Sequence, residues 1–353
     1  MLLNDRISAF AELGNFIRQF KTSGYEKVTT VLLNDDFFDK MVLKIDTAVH
    51  HNGWFTKENV LFALNEWSEA LDNDCLNEWV SSYKLEKMSP RTVGVIMAGN
   101  IPLVGFHDFL SVLISGHKII VKQSSDDNQL LPFLASYLIA VEPKFEEKIT
   151  FTTEKFTNFD AIIATGSDNT ARYFEYYFGK VPNIIRKNRN SVAILTGTET
   201  TEQLYSLGQD IFKYYGLGCR NVSKLLIPKD YDFDTFFKAI YDYSDIMKSA
   251  KYANNYDYNK AVYLMSNFKL LENGFLILKE DQSYSSPIAT LFYETYQTKE
   301  ELLQKLENDK EKIQCIVGDN FNEKSIDFGQ TQSPSLSDYA DGVDIIEFLT
   351  KIN

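Results

Sequence analysis

The sequence predicts an α/β protein with two domains behind a helical N-terminal segment, and with a doubly wound parallel sheet in the first domain. From Thr92 onward, short apolar runs typical of strands alternate with helical patterns, which is the sequence form of a parallel sheet covered by helices. The 353 residues exceed the roughly 250–300 at which a single hydrophobic core stops growing. Residues 1–85 carry helical periodicity only.

The composition favours a folded protein that does not bind nucleic acid. Hydrophobic residues make up 44% of the chain, aromatic residues 14% and charged residues 24%, which argues against extended disorder. The formal net charge is −13, whereas binding to nucleic-acid phosphates needs concentrated Lys and Arg. This charge is typical of a soluble protein, and it still allows a local basic pocket for a phosphorylated cofactor.

The sequence also bears on where the protein resides. Asp5 and Arg6 stand where a signal peptide would carry its apolar run. No stretch reaches the ~18 uninterrupted apolar residues that a membrane span requires. Three cysteines in a chain of this length do not form a disulfide framework. We therefore expect a cytoplasmic protein without a membrane span.

We expect residues 1–90 to form a helical segment that packs on the domain that follows. Apolar residues recur at helical spacing over residues 7–20 and 58–83. His50 and His51 fall in a predicted loop between these stretches. Adjacent histidines can bind metal, but no Cys, Asp or Glu stands at ligand spacing, so no metal site is predicted.

Residues 91–195 are expected to form a dinucleotide-binding domain. The predicted elements are, in order, strand 92–100, helix 101–116, strand 117–125, helix 128–141, strands 148–151 and 160–167, helix 169–177 and strand 190–195. Ligands of such sheets bind beyond the carboxyl ends of the strands. Asn100, Lys122 and the pair Gly166–Ser167 fall at strand ends, and we expect a cofactor there.

Residues 196–353 are expected to form a second α/β domain, with a C-terminal tail, that carries the catalytic thiol. Its predicted helices lie at 201–214, 232–245 and 299–308. Its predicted strands lie at 221–228, 262–266, 275–280, 288–296 and 312–319.

The thiol of Cys219 is the strongest candidate for covalent chemistry. It lies in the loop GLGCR (216–220), between a predicted helix and a predicted strand. Glycines permit a close backbone approach to a substrate and to a developing oxyanion. Arg220 could favour the thiolate, which is the reactive form. The residues alone equally allow a buried cysteine that acts as a small hydrophobic side chain.

The other two cysteines are weaker candidates for a nucleophile. Cys315 sits in an apolar strand pattern and is expected in the core. Cys75 lies in the acidic stretch LDNDCLNE, which disfavours its thiolate. Elimination and context therefore both favour Cys219.

Three segments resemble the aldehyde dehydrogenases. AGNIPLVGFHDFLSVLISGHKIIVKQSS (98–125) resembles the segment in which an asparagine before a proline leads through a helix to a strand ending in Lys-Pro-Ser. TGS (165–167) is similar to the Gly-Ser turn at the cofactor pyrophosphate, and GLGCRNVSKLLIP (216–228) is similar to the nucleophile loop. With the tail FGQTQSPSLSDYADGVDIIEFL (328–349), the pattern from about Thr92 onward resembles the LuxC-type fatty acyl-CoA reductases.

The resemblance implies a role for each matching residue. Cys219 would be the nucleophile, and its backbone N–H would donate to the oxyanion together with the side-chain amide of Asn100. NADPH is the usual cofactor of this family. The matching cofactor-binding positions are Lys122 and Ser124, for the adenosine ribose or its phosphate, and Gly166 and Ser167, for the diphosphate.

Structural roles for the same residues remain open alternatives. Asn100 could only cap the helix that follows it. Lys122 could be a solvated strand end. Ser167 could cap its own helix, and that role is compatible with a phosphate at the same helix N-terminus.

The sequence departs from the aldehyde dehydrogenase pattern in two places. Members that release a free acid carry a glutamate that activates the hydrolytic water, whereas RKNRNSVAILTG (186–197) has Asn188 and Asn190 near that place. The glutamate that holds the nicotinamide ribose is also missing. QSYSSP (282–287) occupies a similar position and supplies only hydroxyls.

The strand end after Lys122 bears on the choice of cofactor. It continues QSS (123–125), without an immediate acid to bind an adenosine 2′-hydroxyl. This tolerates the 2′-phosphate of NADPH. Asp126 and Asp127 follow directly, and they weaken the preference.

The residues and the resemblance together predict an acyl-CoA reductase that converts an acyl thioester to an aldehyde through an S-acyl cysteine and hydride from NADPH. The donor would be acyl-CoA or an acyl-carrier thioester, and the protein would form homo-oligomers or work beside an acyl-transfer partner. One alternative is an aldehyde dehydrogenase that works in the oxidising direction. Another is a catalytically silent relative that binds an acyl group or a nucleotide.

Overall fold

The computed structural model describes residues 1–86, 88–319, 321–323 and 325–352. The chain divides into two compact units. The first comprises Met1–Lys187 together with Ser335–Asn353, and the second comprises Asn188–Pro334. None of the helices among the described residues has the length and apolar character needed to span a bilayer.

The N-terminal part of the first unit is helical, as its periodicity predicts. The apolar face of its first helix packs into the core of this unit, where Phe10 meets Phe109 and Phe145 edge to face. The elements are α1 (Leu3–Ile17), a short hairpin of β1 (Phe20–Lys21) and β2 (Gly24–Tyr25), α2 (Asn34–His51), α3 (Lys57–Ala70) and α4 (Asn73–Val80).

Two details of this region correct the prediction. His50 and His51 do not lie in a loop, because they form the last turn of α2. The expected helix over 58–83 is two helices. Asp72 separates them, and its carboxylate accepts the N–H of Asp74 at the start of α4.

A parallel five-stranded sheet forms the centre of the first unit. Its strands are β3 (Thr92–Ile96), β4 (Lys118–Lys122), β5 (Ile149–Phe151), β6 (Ala161–Thr165) and β7 (Asn183–Arg186), and its crossover helices are α5 (Phe106–Ile114), α6 (Leu130–Val141) and α7 (Asp168–Phe178). The strand order is β5-β4-β3-β6-β7. The chain reverses its winding at β3, so the carboxyl ends of β3, β4 and β6 meet at a topological switch point.

The sheet also differs from the prediction in two places. The helix expected from residue 101 begins only at Phe106. The intervening residues form turns, and Leu103 has a left-handed backbone with φ of 58°. Strand β7 was not predicted.

The second unit contains a six-stranded sheet in the order β10-β11-β12-β9-β8-β13, in which β10 runs antiparallel to β11 and the remaining pairs are parallel. The strands are β8 (Asn190–Ile194), β9 (Val222–Pro228), β10 (Leu270–Glu272), β11 (Ile277–Glu280), β12 (Thr290–Tyr296) and β13 (Ile313–Val317). The helices are α8 (Thr201–Phe212), α9 (Phe233–Ala239), α10 (Ala250–Met265) and α11 (Lys299–Asn308).

The strand predicted at 262–266 is wrong, because these residues lie at the end of α10. A short apolar run does not distinguish a strand from part of a helix. Here the preceding residues decide the outcome, since Tyr252, Tyr256 and Asn259 form a buried face at helical spacing. The helix expected over 232–245 ends at Ala239 and is followed by a 3₁₀ helix, Tyr241–Lys248.

The C-terminal segment returns to the first unit, where it ends in α12 (Ile345–Thr350). Nδ1 of buried His117 accepts the N–H of Arg91, so its Nε2 donates to the carbonyl of Leu349 at 3.2 Å. Trp79 Nε1 donates to the Tyr339 hydroxyl at 2.8 Å.

The bounds of the two compact units therefore differ from the expected domain ranges 91–195 and 196–353. Strand β8 pairs with β9 and β13 inside the second sheet. Its continuous run of buried apolar residues is typical of an inner strand of a parallel sheet, which has a neighbouring strand on each side. The tail belongs to the first unit, because its buried residues join the core of that unit.

Candidate active site

The thiol of Cys219 is exposed on a tightly turned loop of the second unit. After α8, the residues Tyr214, Tyr215 and Gly216 all adopt positive φ, at 53°, 59° and 76°. Such backbone is sparsely populated and persists only where the surroundings hold it. Because the side chain is exposed, Cys219 is not the packed small hydrophobic residue that the sequence also allowed.

Hydrogen bonds from two buried side chains fix the loop around Cys219. Asn221 Oδ1 accepts the N–H of Gly218 at 2.8 Å, while its Nδ2 donates to the carbonyls of Asp210 and Lys213. Ser191 Oγ donates to the carbonyl of Cys219 at 2.9 Å. Ser191 thus holds the peptide unit that follows Cys219, and the Asn221 side chain holds the peptide unit between Leu217 and Gly218. The peptide unit between Gly218 and Cys219 is held by its carbonyl, which accepts the backbone N–H of Asn221 at 3.0 Å.

The segment that contains Thr331 lies beside the same loop and is held by buried Asp210. The Asp210 carboxylate accepts the N–H of Gly329 at 2.7 Å, the N–H of Thr331 at 3.0 Å and the Thr331 hydroxyl at 2.8 Å. Burial raises the pKa of Asp210, and these donors oppose that rise. Arg220 Nε donates to the Thr331 carbonyl at 2.5 Å. That Arg220 also favours the thiolate of Cys219 stays a prediction.

The environments of the other two cysteines agree with the sequence analysis. Cys315 is buried within β13. Cys75 is exposed on α4, and its pKa is raised by partial burial and by the charges of Asp72, Glu78 and Asp74. A raised pKa lowers the thiolate fraction, so Cys75 is a poor nucleophile.

The QSYSSP segment, which replaces the missing nicotinamide-ribose glutamate, is anchored to β9. The hydroxyl of Ser223 donates to the carbonyl of Tyr284 at 2.6 Å. The ammonium of Lys224, whose side chain is fully buried, donates to the carbonyl of Gln282 at 2.8 Å and pairs with Glu294 at 2.5 Å. Strand β9 therefore anchors this segment and directly follows the thiol loop.

The first unit brings the predicted cofactor residues to one edge of its sheet. Asn100 follows β3, Lys122 and Ser124 lie at the end of β4, and Gly166 and Ser167 follow β6. Strand β3 pairs with both β4 and β6, so the three strand ends are neighbours. Cys219 belongs to the second unit.

Asn100 does not cap the helix that follows it. The N-cap of α5 is Gly105, and the side chain of Asn100 is exposed. The capping alternative is therefore wrong. Lys122 is partly buried and donates to the carbonyl of Glu154 at 3.4 Å, a long bond that a ligand oxygen could replace.

The turn before Asn100 packs closely against the turn that contains Ser124. A Cβ on Gly99 would lie 2.7 Å from the Ser124 Cβ and 3.1 Å from the Asp127 backbone nitrogen, so only glycine allows this approach. Asn52 Nδ2 bridges the two turns, because it reaches the carbonyls of Gly99 and Asp126, each at 3.4 Å.

Asp127 points into the protein, although the sequence placed it at the cofactor edge. Its side chain is 7% exposed, and Oδ2 accepts the N–H of Leu103 at 3.0 Å. Burial raises its pKa to about 6, and the bond from Leu103 opposes the rise. Asp127 therefore supports the loop that carries Asn100, and of the two aspartates it is Asp126 that is exposed.

Ser167 caps α7, and its Oγ accepts the N–H of Thr170 at 3.3 Å. The cap predicted from the sequence is thus confirmed. The N-terminus of an 11-residue helix, preceded by Gly166, offers backbone N–H groups and a partial positive charge to an anion. This turn fits a diphosphate.

Sequence reasoning missed the residues that support the two loops. Asn221, Asp210 and Ser191 have at most 2% of their surface exposed, and their partners lie far away in sequence or are backbone groups. The available signal was a polar residue within an apolar strand pattern, as in Ser191 of NSVAIL. Among the described residues, no group of three or more His, Cys, Asp or Glu could hold a metal ion.

Three comparisons place the chain among known proteins. The sequence model of the family described as acyl-CoA reductase (LuxC) matches residues 18–230. Comparison with curated protein sequences gave no match. Among solved structures, the chain is similar to aldehyde dehydrogenases.

Three of these structures illustrate the similarity. An NAD-dependent aldehyde dehydrogenase from Sinorhizobium meliloti has 14% identity and a TM-score of 0.62, over 86% of this chain and 68% of that chain. The Mycobacterium tuberculosis aldehyde dehydrogenase complexed with NAD+ has 15% identity and a TM-score of 0.57, over 86% and 70%. Aldehyde dehydrogenase 21 from Physcomitrella patens has 13% identity and a TM-score of 0.60, over 87% and 71%. The predicted aldehyde dehydrogenase-like α/β fold is confirmed.

Proposed function

The chain belongs to the LuxC family of acyl-CoA reductases, as its motifs predict, and we propose that it reduces an acyl-CoA thioester to an aldehyde through an S-acyl intermediate on Cys219. The observation that carries this proposal is the exposed thiol of Cys219, on a strained loop whose backbone is fixed by Asn221 and Ser191. A side chain kept only for packing would need neither the exposure nor the fixed backbone.

The first half of the reaction transfers the acyl group to the enzyme. The Cys219 thiolate attacks the thioester carbonyl, a carbon–sulfur bond forms, and coenzyme A leaves as a thiolate that takes up a proton. The negative charge that develops on the carbonyl oxygen is stabilised by the backbone N–H of Cys219 and, by family resemblance, by the side-chain amide of Asn100. Splitting the reduction at the acyl-enzyme replaces one difficult step with two easier ones.

The second half needs a hydride, which bound NADPH would supply to the acyl carbon. The oxyanion that results is again stabilised by Asn100. Its collapse breaks the carbon–sulfur bond, releases the aldehyde and regenerates the Cys219 thiolate. The protein's part is to orient the acyl group and to exclude water.

The cofactor residues of the first unit suit a nicotinamide dinucleotide. The start of α7 offers backbone N–H groups to the diphosphate beside Ser167, and Gly166 has no side chain to block its approach, while Lys122 and Ser124 lie at the neighbouring strand end for the adenosine ribose. Buried Asp127 is bonded to the N–H of Leu103 and does not face a ribose 2′-hydroxyl. We therefore propose NADPH rather than NADH.

The direction of the reaction follows from the lack of an acid at the water-activating place. Asn190 there is the first residue of β8, and an asparagine cannot accept a proton from water at neutral pH. An acyl-enzyme without that base would exchange with a thiol or be reduced. This favours the reductase over an aldehyde dehydrogenase that works in the oxidising direction. We expect a cytoplasmic enzyme whose donor is acyl-CoA or an acyl-carrier thioester.

The test is an activity comparison in both directions. Acyl-CoA esters of short to long chain are mixed with NADPH or NADH, and aldehyde is measured alongside the loss of reduced cofactor. In parallel, aldehydes are mixed with NADP+ or NAD+, with and without coenzyme A. We expect aldehyde from acyl-CoA with NADPH. Aldehyde oxidation to the free acid without coenzyme A would identify a dehydrogenase, and inactivity in every mixture would favour a silent binding protein.

A further inference from the structure

Two buried side chains bind the backbone before and after Cys219, at the two peptide units that flank the one carrying the Cys219 N–H. Asn221 is 2% exposed and binds the N–H of Gly218, while Ser191 is fully buried and binds the carbonyl of Cys219. We propose that Asn221 and Ser191 are positioning residues that aim the Cys219 amide N–H at the oxyanion. This inference rests on the proposed function, in which that amide is an oxyanion donor.

Asn221 is suited to this task because it uses both ends of its amide. Oδ1 accepts from Gly218 at 2.8 Å, and Nδ2 donates to the carbonyls of Asp210 at 2.9 Å and Lys213 at 2.8 Å. Its side chain thus joins the end of α8 to the thiol loop. An aspartate would lack the two donors, and a leucine of similar size would leave all three backbone groups without this partner.

Ser191 acts on the other side of Cys219, from β8. Its Oγ accepts the N–H of Cys315 at 3.1 Å, so its own proton is directed at the carbonyl of Cys219. The pairing of β8 with β9 shifts register between Ser191 and Val192. This irregularity lies beside the residues that follow the loop.

The loop needs this support because its own sequence is permissive. Gly216 and Gly218 flank the approach to Cys219, and glycine rotates more freely than any other residue. The left-handed residues Tyr214 and Tyr215 also require an environment that holds them. The carbonyl of the peptide between Gly218 and Cys219 accepts the backbone N–H of Asn221 at 3.0 Å, and the two side chains fix the peptide units on either side of it. Without these side chains, we expect the loop to shift and to carry the amide N–H of Cys219 away from the oxyanion.

Two thiol reagents separate this role from a general loss of structure. p-Nitrophenyl acetate acylates a thiolate through an oxyanion, whereas iodoacetamide alkylates it by direct displacement without one. The ratio of the two rates at Cys219 therefore measures oxyanion stabilisation. Both rates would be measured in a Cys75→Ser background, because Cys75 is also exposed.

We expect Asn221→Ala and Ser191→Ala each to lower the acylation rate by about 10- to 100-fold, since loss of one oxyanion donor typically costs 10²–10³ and a misdirected donor retains part of its effect. Alkylation should change by less than about threefold, because it follows thiolate content and exposure. Asn259→Ala is the matched control. It removes a buried amide that donates to the carbonyl of Ile288 at 2.9 Å elsewhere in the second unit, and it should leave the ratio unchanged.

A ratio that stays at the wild-type value in a folded variant overturns the assignment of that residue. If Asn221→Ala does not fold by circular dichroism, Ser191→Ala, which deletes a single hydroxyl, carries the test. The ester contains no coenzyme A, so the inference can hold even if no acyl-CoA acylates the wild type. That second result would contradict the proposed function alone.

Discussion

Arg186 and Asp108 form a buried, two-bond ion pair in the first unit. Nη1 of Arg186 lies 2.7 Å from Oδ2 of Asp108 and Nη2 lies 2.9 Å from Oδ1, and both side chains are at most 8% exposed. Arg186 ends β7, and its carbonyl accepts the N–H of Gly166. Asp108 lies in the first turn of α5, the helix that follows Asn100. The pair therefore links the strand that binds the Gly166 turn to the helix that follows the Asn100 turn.

Removing one member of this pair should destabilise the protein strongly. Asp108→Ala leaves a buried guanidinium without its counter-charge, and we expect a loss of about 3–5 kcal/mol in the free energy of unfolding. Asp108→Leu combined with Arg186→Met should recover much of that loss. Denaturant titration measures both. Glu175→Ala, which breaks the exposed pair with Lys187, is the control and should change little; a similar small change for Asp108→Ala would show that the buried pair is not important for stability.

The close contact of Gly99 with Ser124 predicts a specific pair of substitutions. Gly99→Ala should lower stability by about 1–3 kcal/mol, because the new Cβ would overlap the Ser124 Cβ and press on the Asp127 backbone. Adding Ser124→Gly should restore part of the loss. Thermal melting would show this, with Gly318→Ala as the control, since a Cβ there meets ordinary contacts at 3.4 Å. If Ser124→Gly does not restore stability, the contact with the Ser124 Cβ is not the cause of the loss.

Asp127 should make stability depend on pH between about 4 and 6. Its pKa in the folded protein is about 6 against a reference of 3.8, so the folded state binds more protons in this range. Stability is then lost as pH rises through it, by up to about 3 kcal/mol. Asp127→Asn cannot ionise, but it can still accept from Leu103.

The measurement is the melting temperature of wild type and Asp127→Asn from pH 4.5 to 7.5. The melting temperature of Asp127→Asn should increase relative to that of the wild type as pH rises. Asp126→Asn, which removes a carboxylate at the exposed neighbouring residue, is the matched control. If the melting temperatures of wild type and Asp127→Asn changed in parallel with pH, burial would not raise the pKa of Asp127.

The role of Asn100 predicts a catalytic effect without a loss of stability. Asn100→Ala should lower turnover by about 10²–10³, as expected for one oxyanion donor. Because Asn100 is exposed and does not cap α5, its melting temperature should stay close to that of wild type. Steady-state aldehyde formation measures the effect, and Asn65→Ala on α3 is the exposed control. Unchanged turnover would remove Asn100 from the oxyanion site.

Much of the fold could be predicted because strands of parallel sheets are continuous apolar runs. β3, β4, β6, β8 and β9 all fell within predicted strands. Failures occurred where a local pattern was ambiguous. The run at 262–266 was apolar but belongs to a helix whose buried face begins earlier, and the return of the tail depends on contacts such as Trp79 with Tyr339, which no local pattern reveals.

In the candidate site, too, local features could be predicted from the sequence and long-range contacts could not. The place of Cys219 in a loop and the helix cap at Ser167 could be predicted because a glycine loop and a helix cap are local features. The supports of Cys219 could not, because the partners of Ser191 are Cys219 and Cys315, 28 and 124 residues away. Asp127 was misjudged for a related reason, since only the structure shows that its carboxylate turns inward to Leu103.

The most direct test of the proposed chemistry is the intact mass of the protein after mixing with a long-chain acyl-CoA in the absence of NADPH. We expect the added mass of one acyl group on the wild type, no addition on Cys219→Ala, and loss of the added mass when NADPH is supplied. Repetition with shorter chains and with Cys75→Ser covers chain length and the second exposed thiol. An acyl adduct that persists on Cys219→Ala, or no adduct at any chain length, would contradict covalent catalysis by Cys219.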